Sequence, residues 1–195
     1  VKDYYITGEL QWEGYLSYYD EFKSENDSNQ GLFTTYFKNG LIEASGNYDN
    51  NLLDGLLKTF DSIGNKMSQL EFKRGLRDGL SLYFYTDSVK RKYDTIKHSL
   101  NFKNDTLYGK VKTDYGYFGD SMKFEGNYSN GERNGFGKMH WLSGHIYEGD
   151  FKDGWISGKG TYYYPNGNKY IGETLKNVLN GQGTYYFKNG DKYIG

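Results

Sequence analysis

Residues 147–169 read Tyr147-Glu-Gly149-Asp-Phe151-Lys-Asp-Gly154-Trp-Ile-Ser-Gly158-Lys-Gly160-Thr-Tyr-Tyr-Tyr-Pro-Asn-Gly167-Asn-Lys169. Large aromatic residues alternate with polar ones on either side of a glycine turn, and Asn166-Gly167 follows. Period-two alternation bounded by Gly and Asn-Gly signals is the pattern of a β-hairpin. Asn-Gly between two such runs predicts a type I′ turn, because both central positions tolerate positive φ.

The stretch is one copy of a repeat. Phe124-Glu-Gly126, Tyr147-Glu-Gly149, Tyr170-Ile-Gly172 and Tyr193-Ile-Gly195 recur every 23 residues. Gly135-Phe-Gly137, Gly158-Lys-Gly160 and Gly181-Gln-Gly183 follow at the same step, as do Gly144, Gly167 and Gly190. Three markers moving together without an insertion define a repeat architecture. Within one unit, Phe124, Gly126 and Tyr128 fall on one strand face, with Gly135, Gly137, Met139 and Trp141 on the matching face of the returning strand. Phe136, Lys138, His140 and Leu142 point the other way. Glycine in a strand interior ordinarily weakens it. Here it predicts space for a large ring from a neighbouring strand to lie across bare backbone. Each hairpin alone would be marginal, so neighbours must supply the burial.

Upstream the grammar persists with errors. Gly46, Gly55 and Gly64 keep the offsets of Gly126, Gly135 and Gly144, while Leu70 with Gly79 and Leu100 with Gly109 are echoes that lack the first glycine. Anchors fall at 14, 46, 70, 100, 126, 149, 172 and 195, which places insertions near 19–29 and 88–100. The expected fold is all-β: an elongated, single-layer antiparallel sheet of stacked hairpins. Residues 1–195 form a single array, degenerate over about 1–121 and regular over 122–195. Tyr193-Ile-Gly195 opens a further copy, so the natural protein is expected to extend beyond it. The edge there is a candidate for pairing with a second chain, giving homo-oligomers through the terminal repeats.

Composition agrees. Hydrophobic residues are 36% of the chain, with 22 Tyr, 12 Phe, 27 Gly and a single Pro, a mixture that favours strands and turns over helices. Net charge is −1. Residues 1–30 carry seven acids against two lysines, and no basic run is long enough to imply a nucleic-acid partner. Zero cysteines exclude disulfides and zinc ribbons, and fit both a reducing and a secretory compartment.

Residues 147–169, with 170–192 as a second good copy and 124–146 as a third, resemble the MORN repeat (membrane occupation and recognition nexus). The resemblance is strong over 124–195 and degenerate upstream. It implies stacked hairpins used as scaffolds, as protein-binding platforms and as phospholipid contacts, and it assigns no reaction and no cofactor.

Candidate residues follow. Gly126, Gly135, Gly137, Gly144, Gly149, Gly158, Gly160, Gly167, Gly172, Gly181, Gly183 and Gly190 read as structural, since no helix or Walker pattern accompanies them. Tyr163 and Tyr186, with Phe136 at the matching position one unit earlier, are candidate contacts for an unidentified protein partner along a ladder of rings. Arg74 and Arg77, with Lys90, Arg91 and Lys92, are the candidate contacts to an anionic membrane surface. His140 and His145 lack the regular carboxylates of a metal site. Ser143, His145 and Asp153 lack a nucleophile elbow or an oxyanion-hole sequence. The chain therefore reads as non-enzymatic: a scaffold first, with membrane association and self-assembly as alternatives.

Overall fold

The computed structural model describes residues 2–16, 28–85, 96–114 and 122–195. It comprises two compact units, Val1–Asp105 and Thr106–Gly195. The first holds β1 (Lys2–Tyr4), β2 (Leu10–Leu16), β3 (Asn29–Tyr36), β4 (Ile42–Asp49), β5 (Leu52–Leu53), β6 (Gly55–Phe60), β7 (Lys66–Lys73), β8 (Leu76–Phe84) and β9 (Ile96–Lys103). The second holds β10 (Thr106–Leu107), β11 (Gly109–Thr113), β12 (Met122–Ser129), β13 (Glu132–Trp141), β14 (Ile146–Lys152), β15 (Trp155–Tyr163), β16 (Lys169–Leu175), β17 (Val178–Tyr186) and β18 (Lys192–Ile194). The described residues contain no helix. The fold is all-β, in each unit a single layer of antiparallel pairings in which most strands pair with the next in sequence; in the first unit β5 and β6 both pair with β4.

The register explains the repeat. In the second unit Gly126 stands opposite Gly137, Gly137 opposite Gly149, Gly149 opposite Gly160, Gly160 opposite Gly172 and Gly172 opposite Gly183. A row of bare backbone thus crosses the sheet, and rings cover it. A Cβ on Gly137 would lie 2.9 Å from the Phe124 ring, and one on Gly149 would lie 2.5 Å from the Tyr147 hydroxyl. The covering ring comes from two residues earlier on the glycine's own strand and reaches over the paired glycine next door, whereas the sequence pointed to the neighbouring strand alone. In the first unit the equivalent row runs Gly14, Phe33, Gly46, and then Leu57, Leu70, Ser81 and Leu100. Aliphatic side chains there fill the space that rings cover in the regular repeats.

This ring-bearing face is the core. Phe124, Tyr128, Met139, Tyr147, Phe151, Ile156 and Tyr170 are buried on it in the second unit, and Phe33, Phe84, Leu100 and Phe102 are buried in the first. Phe124 meets Tyr128 and Phe151 edge-on at 5.6 and 5.3 Å, and Tyr147 packs on Phe151 and Tyr162 at 5.4 and 4.9 Å. The contacts run on through Tyr164, Tyr185 and Phe187. Tilted and edge-to-face pairs of this kind add to the area they bury. Burial, followed by the neighbouring Tyr147 and Tyr164 phenols, pushes the Tyr162 hydroxyl up to about 12.

Turn chemistry differs from expectation at one end of the hairpins. In the 164–168 connection the Tyr164 amide donates to the Asn168 carbonyl at 2.9 Å and the Gly167 amide donates to the Tyr164 carbonyl at 3.0 Å; only Gly167 takes positive φ, +88°. This is a three-residue loop with Pro165 pre-setting its first corner, followed by a left-handed glycine, and not a type I′ turn. Two-residue turns with positive φ at both positions lie at the opposite end: Asn130-Gly131, Asp153-Gly154 and Lys176-Asn177. These tips lock onto the preceding hairpin. The Gly154 amide donates to the Arg133 carbonyl at 3.0 Å and the Asn177 amide to the Ile156 carbonyl at 2.9 Å. Asn177 Oδ1 also accepts from the Ile156 amide at 2.9 Å.

At three of the hairpin bulges a carboxylate from the facing strand accepts a backbone amide. Gly158 takes φ +125° with the Asp150 side chain beneath it, and Asp150 Oδ2 accepts from the Lys159 amide at 3.0 Å. Glu173 does the same for Gln182 at 3.3 Å, and Glu71 for Leu80 at 3.1 Å.

Candidate functional site

The face opposite the ring-covered core carries the alternate residues of every strand, and on the second unit it forms a shallow groove of about 590 Å³. Phe136, Glu148, Lys159, Thr161, Tyr163 and Ile171 contribute to its lining. Phe136 is 58% exposed and Tyr163 41%, large values for aromatic residues in a chain that buries so many others.

Register decides which side chains are neighbours here. One cross-strand row runs His140, Ile146, Tyr163, Lys169, Tyr186 and Lys192. Lys169 lies between the two tyrosines, with its Nζ 4.8 Å from the centre of the Tyr186 ring. Tyr163 and Tyr186 are therefore one repeat apart on one row. Phe136 is not on it: one repeat before Tyr163 lies His140, and Phe136 instead occupies the position of Lys159 and Gln182. The expected ladder of three rings is a pair of tyrosines with a separate phenylalanine at the groove edge. Sequence reasoning missed Lys169, Lys192 and Ile171, whose importance comes from register across strands. The 23-residue step from Lys169 to Lys192 was the available signal.

The adjacent row runs Lys112, Glu125, Lys138, Glu148, Thr161, Ile171, Thr184 and Ile194. Lys112 pairs with Glu125 at 3.2 Å and Lys138 with Glu148 at 3.3 Å. Exposed pairs of this kind contribute little stability, but they neutralise this part of the face. Towards β18 the same row turns neutral and apolar.

The other candidates lie elsewhere. Arg77 is in the first unit, where its Nε is 2.8 Å from Asp105 Oδ1 and its guanidinium stacks 4.1 Å from the Phe102 ring. Burial works against its charge, but the hydrogen bonds it donates to Asp105 and Tyr83 raise its pKa overall, and the same guanidinium holds the Asp105 carboxyl below its usual range. Arg74 occupies an exposed turn with φ +51°. Lys90, Arg91 and Lys92 lie outside the described residues. His145 Nδ1 is 2.9 Å from Ser143 Oγ, and its ring meets Tyr164 edge-on at 5.8 Å. Asp153 sits in a two-residue turn at the opposite end of the hairpins. Burial, followed by Lys138 and Lys123, lowers the His140 pKa. Among the described residues no cluster of three or more His, Cys, Asp or Glu is placed to hold a metal. No described helix is long and apolar enough to cross a membrane.

No curated protein matches the chain. The family model of the MORN repeat matches three times without a gap, at 124–146, 147–169 and 170–192. Each match opens on the ring that covers the glycine row, Phe124, Tyr147 or Tyr170. MORN repeats are in general binding modules, associated with protein and membrane scaffolds and not typically catalytic. Residues 124–192 thus read, by match to the family model, as three consecutive MORN repeats.

Proposed function

We propose that the chain is a non-enzymatic scaffold whose outer face on Thr106–Gly195 binds a protein partner, with Phe136, Tyr163 and Tyr186 as contact residues. The observation that carries this reading is the division of labour between the two faces. One uses its rings to cover backbone and stabilise the sheet. The other exposes Phe136 and Tyr163 around one groove, where neither is needed to cover glycine. Exposed aromatic residues beside a shallow groove are the usual anchors of protein contacts. Residues 1–195 belong to one repeat array in this reading.

The test is capture of partners on the intact chain, compared with Phe136→Ser, Tyr163→Ser and Tyr186→Ser. Partner yield is expected to fall while circular dichroism and the melting temperature stay at the parent values. Unfolded variants would mean that these rings belong to the core, and unchanged capture would mean that they are not contacts. A membrane role for Arg74, Arg77, Lys90, Arg91 and Lys92 has less support, because Arg77 is committed to Asp105 and Phe102. Flotation with anionic vesicles at low and high salt tests it, since attachment by charge weakens as salt rises.

A further inference from the structure

The row His140, Ile146, Tyr163, Lys169, Tyr186, Lys192 contains cations and rings but no acid. On the neighbouring rows of this face Glu125 and Glu148 pair with Lys112 and Lys138, Glu173 stands opposite Lys159 in the register, and Asp150 is turned onto a backbone amide at a bulge. Lys169 and Lys192 form no ion pair among the described residues. Lys169 rests against Tyr186, and Lys192 is exposed at the end of the row. This row therefore carries positive charge set between aromatic rings, although the chain as a whole is slightly acidic.

Resting on the binding-platform reading above, we infer that the partner segment is an acidic-apolar peptide, lying across β15–β18 with carboxylates on Lys169 and Lys192 and apolar side chains on Tyr163, Tyr186 and Ile171. Charge complementarity selects this class. The two lysines are two strands apart, about 9.5 Å by strand spacing, and a peptide in the polyproline II conformation returns a side chain to the same face every third residue, at about 9.3 Å. Carboxylates three apart, with apolar residues between them, meet the lysines and rings in turn. A polynucleotide fits less well: it carries a charge on every unit and would press phosphates against Glu148 and the apolar surface of Ile171.

Fluorescence anisotropy on the full chain tests this with a labelled peptide carrying Glu at every third position and Leu or Gly between, alongside its Glu→Lys counterpart. The acidic peptide is expected to bind with an affinity that falls as salt rises, and the lysine peptide to bind far more weakly. Lys169→Glu and Lys192→Glu should each cost about tenfold in affinity for the acidic peptide and gain affinity for the lysine peptide. Lys38→Glu, the same charge change in the first unit, should leave both unchanged.

Equal binding of the two peptides, lost with Tyr163→Ser, would overturn the acidic specificity and leave the platform reading standing. Equal losses from Lys38→Glu and Lys169→Glu would reduce the effect to overall charge and overturn the inference, as would absence of binding by the acidic peptide. Tighter binding of an oligothymidylate or of phosphatidylserine vesicles, sensitive to Lys169→Glu, would overturn it in favour of those ligands. Lys169→Gln, which keeps a polar side chain of similar length, guards against a folding defect in the glutamate variant: it should lose affinity with an unchanged circular dichroism spectrum, and retained affinity would overturn the role of the charge.

Discussion

The ring of Tyr147 lies against the backbone of Gly160 on the neighbouring strand, so close that a Cβ there would stand 2.5 Å from the ring carbons Cε2 and Cζ. Real Cβ atoms do not approach rings at that distance, and the ring is held from other sides by Phe151 and Tyr162. Gly160→Ala should therefore destabilise the fold by about 1–3 kcal/mol, as overpacking does. Tyr147→Ala adds its own cavity cost, and the double variant should fall short of the sum because the two changes relieve one another. Urea denaturation of the four proteins measures this. Additive losses, or a neutral Gly160→Ala, would contradict the ring-over-glycine account.

The Tyr147 hydroxyl donates to the Asp150 carbonyl at 3.1 Å, and one repeat later Tyr170 donates to Glu173 at 2.9 Å. Phe124 holds the equivalent place without a hydroxyl. Tyr147→Phe should keep the ring packing and lose about 1 kcal/mol, the net worth of a typical hydrogen bond. A loss comparable with that of Tyr147→Ala would mean that the hydroxyl, and not the ring, carries the position.

Asn177 both donates its amide to Ile156 and accepts the Ile156 amide through Oδ1, closing a two-point clasp between hairpin tips. Its φ is +69°, a conformation glycine adopts freely and alanine resists. Asn177→Gly should lose only the side-chain acceptor, about 0.5–1.5 kcal/mol, while Asn177→Ala should lose more. Hydrogen exchange at the Ile156 amide should accelerate in both. Unchanged exchange would show that the amide has another acceptor.

His98 is buried in β9, its ring edge-on to Tyr83 at 6.2 Å. Burial first, and Lys97 second, lower its pKa from 6.5 to about 4. Between those values the unfolded chain holds the proton that the folded chain lacks, so stability is full above about pH 6.5 and is lost as pH falls towards 4. The total is on the order of a few kcal/mol. Denaturation free energies measured across this window should slope for the parent protein and slope less for His98→Phe. The same slope in both would remove His98 as the source.

Much of the fold was legible in residue order because its causes are local. Phe124-Glu-Gly126 and its successors state the period. The alternation around Tyr162, Tyr163 and Tyr164 assigns faces, and the loss of glycine at Leu70 and Leu100 marks units whose row is filled by aliphatic side chains. The turns were harder. Asn166-Gly167 fits both a two-residue and a three-residue connection by composition, and the choice depends on which residues across the gap hydrogen-bond.

The candidate site was legible only in part. Alternation places Tyr163 and Phe136 on the outer face, but their neighbours depend on where one strand stops against the next.

Sequence by itself determined the all-β hairpin repeat, its 23-residue step and the separation of covered from uncovered rings, because strand periodicity and glycine's missing side chain act within one strand. Tertiary structure alone decided that Lys169 stands between Tyr163 and Tyr186, that Arg77 is taken by Asp105, and that Asn177 clasps Ile156. Those relationships join residues from different strands or hairpins, and hydrogen-bond register between strands is a property of the assembled sheet.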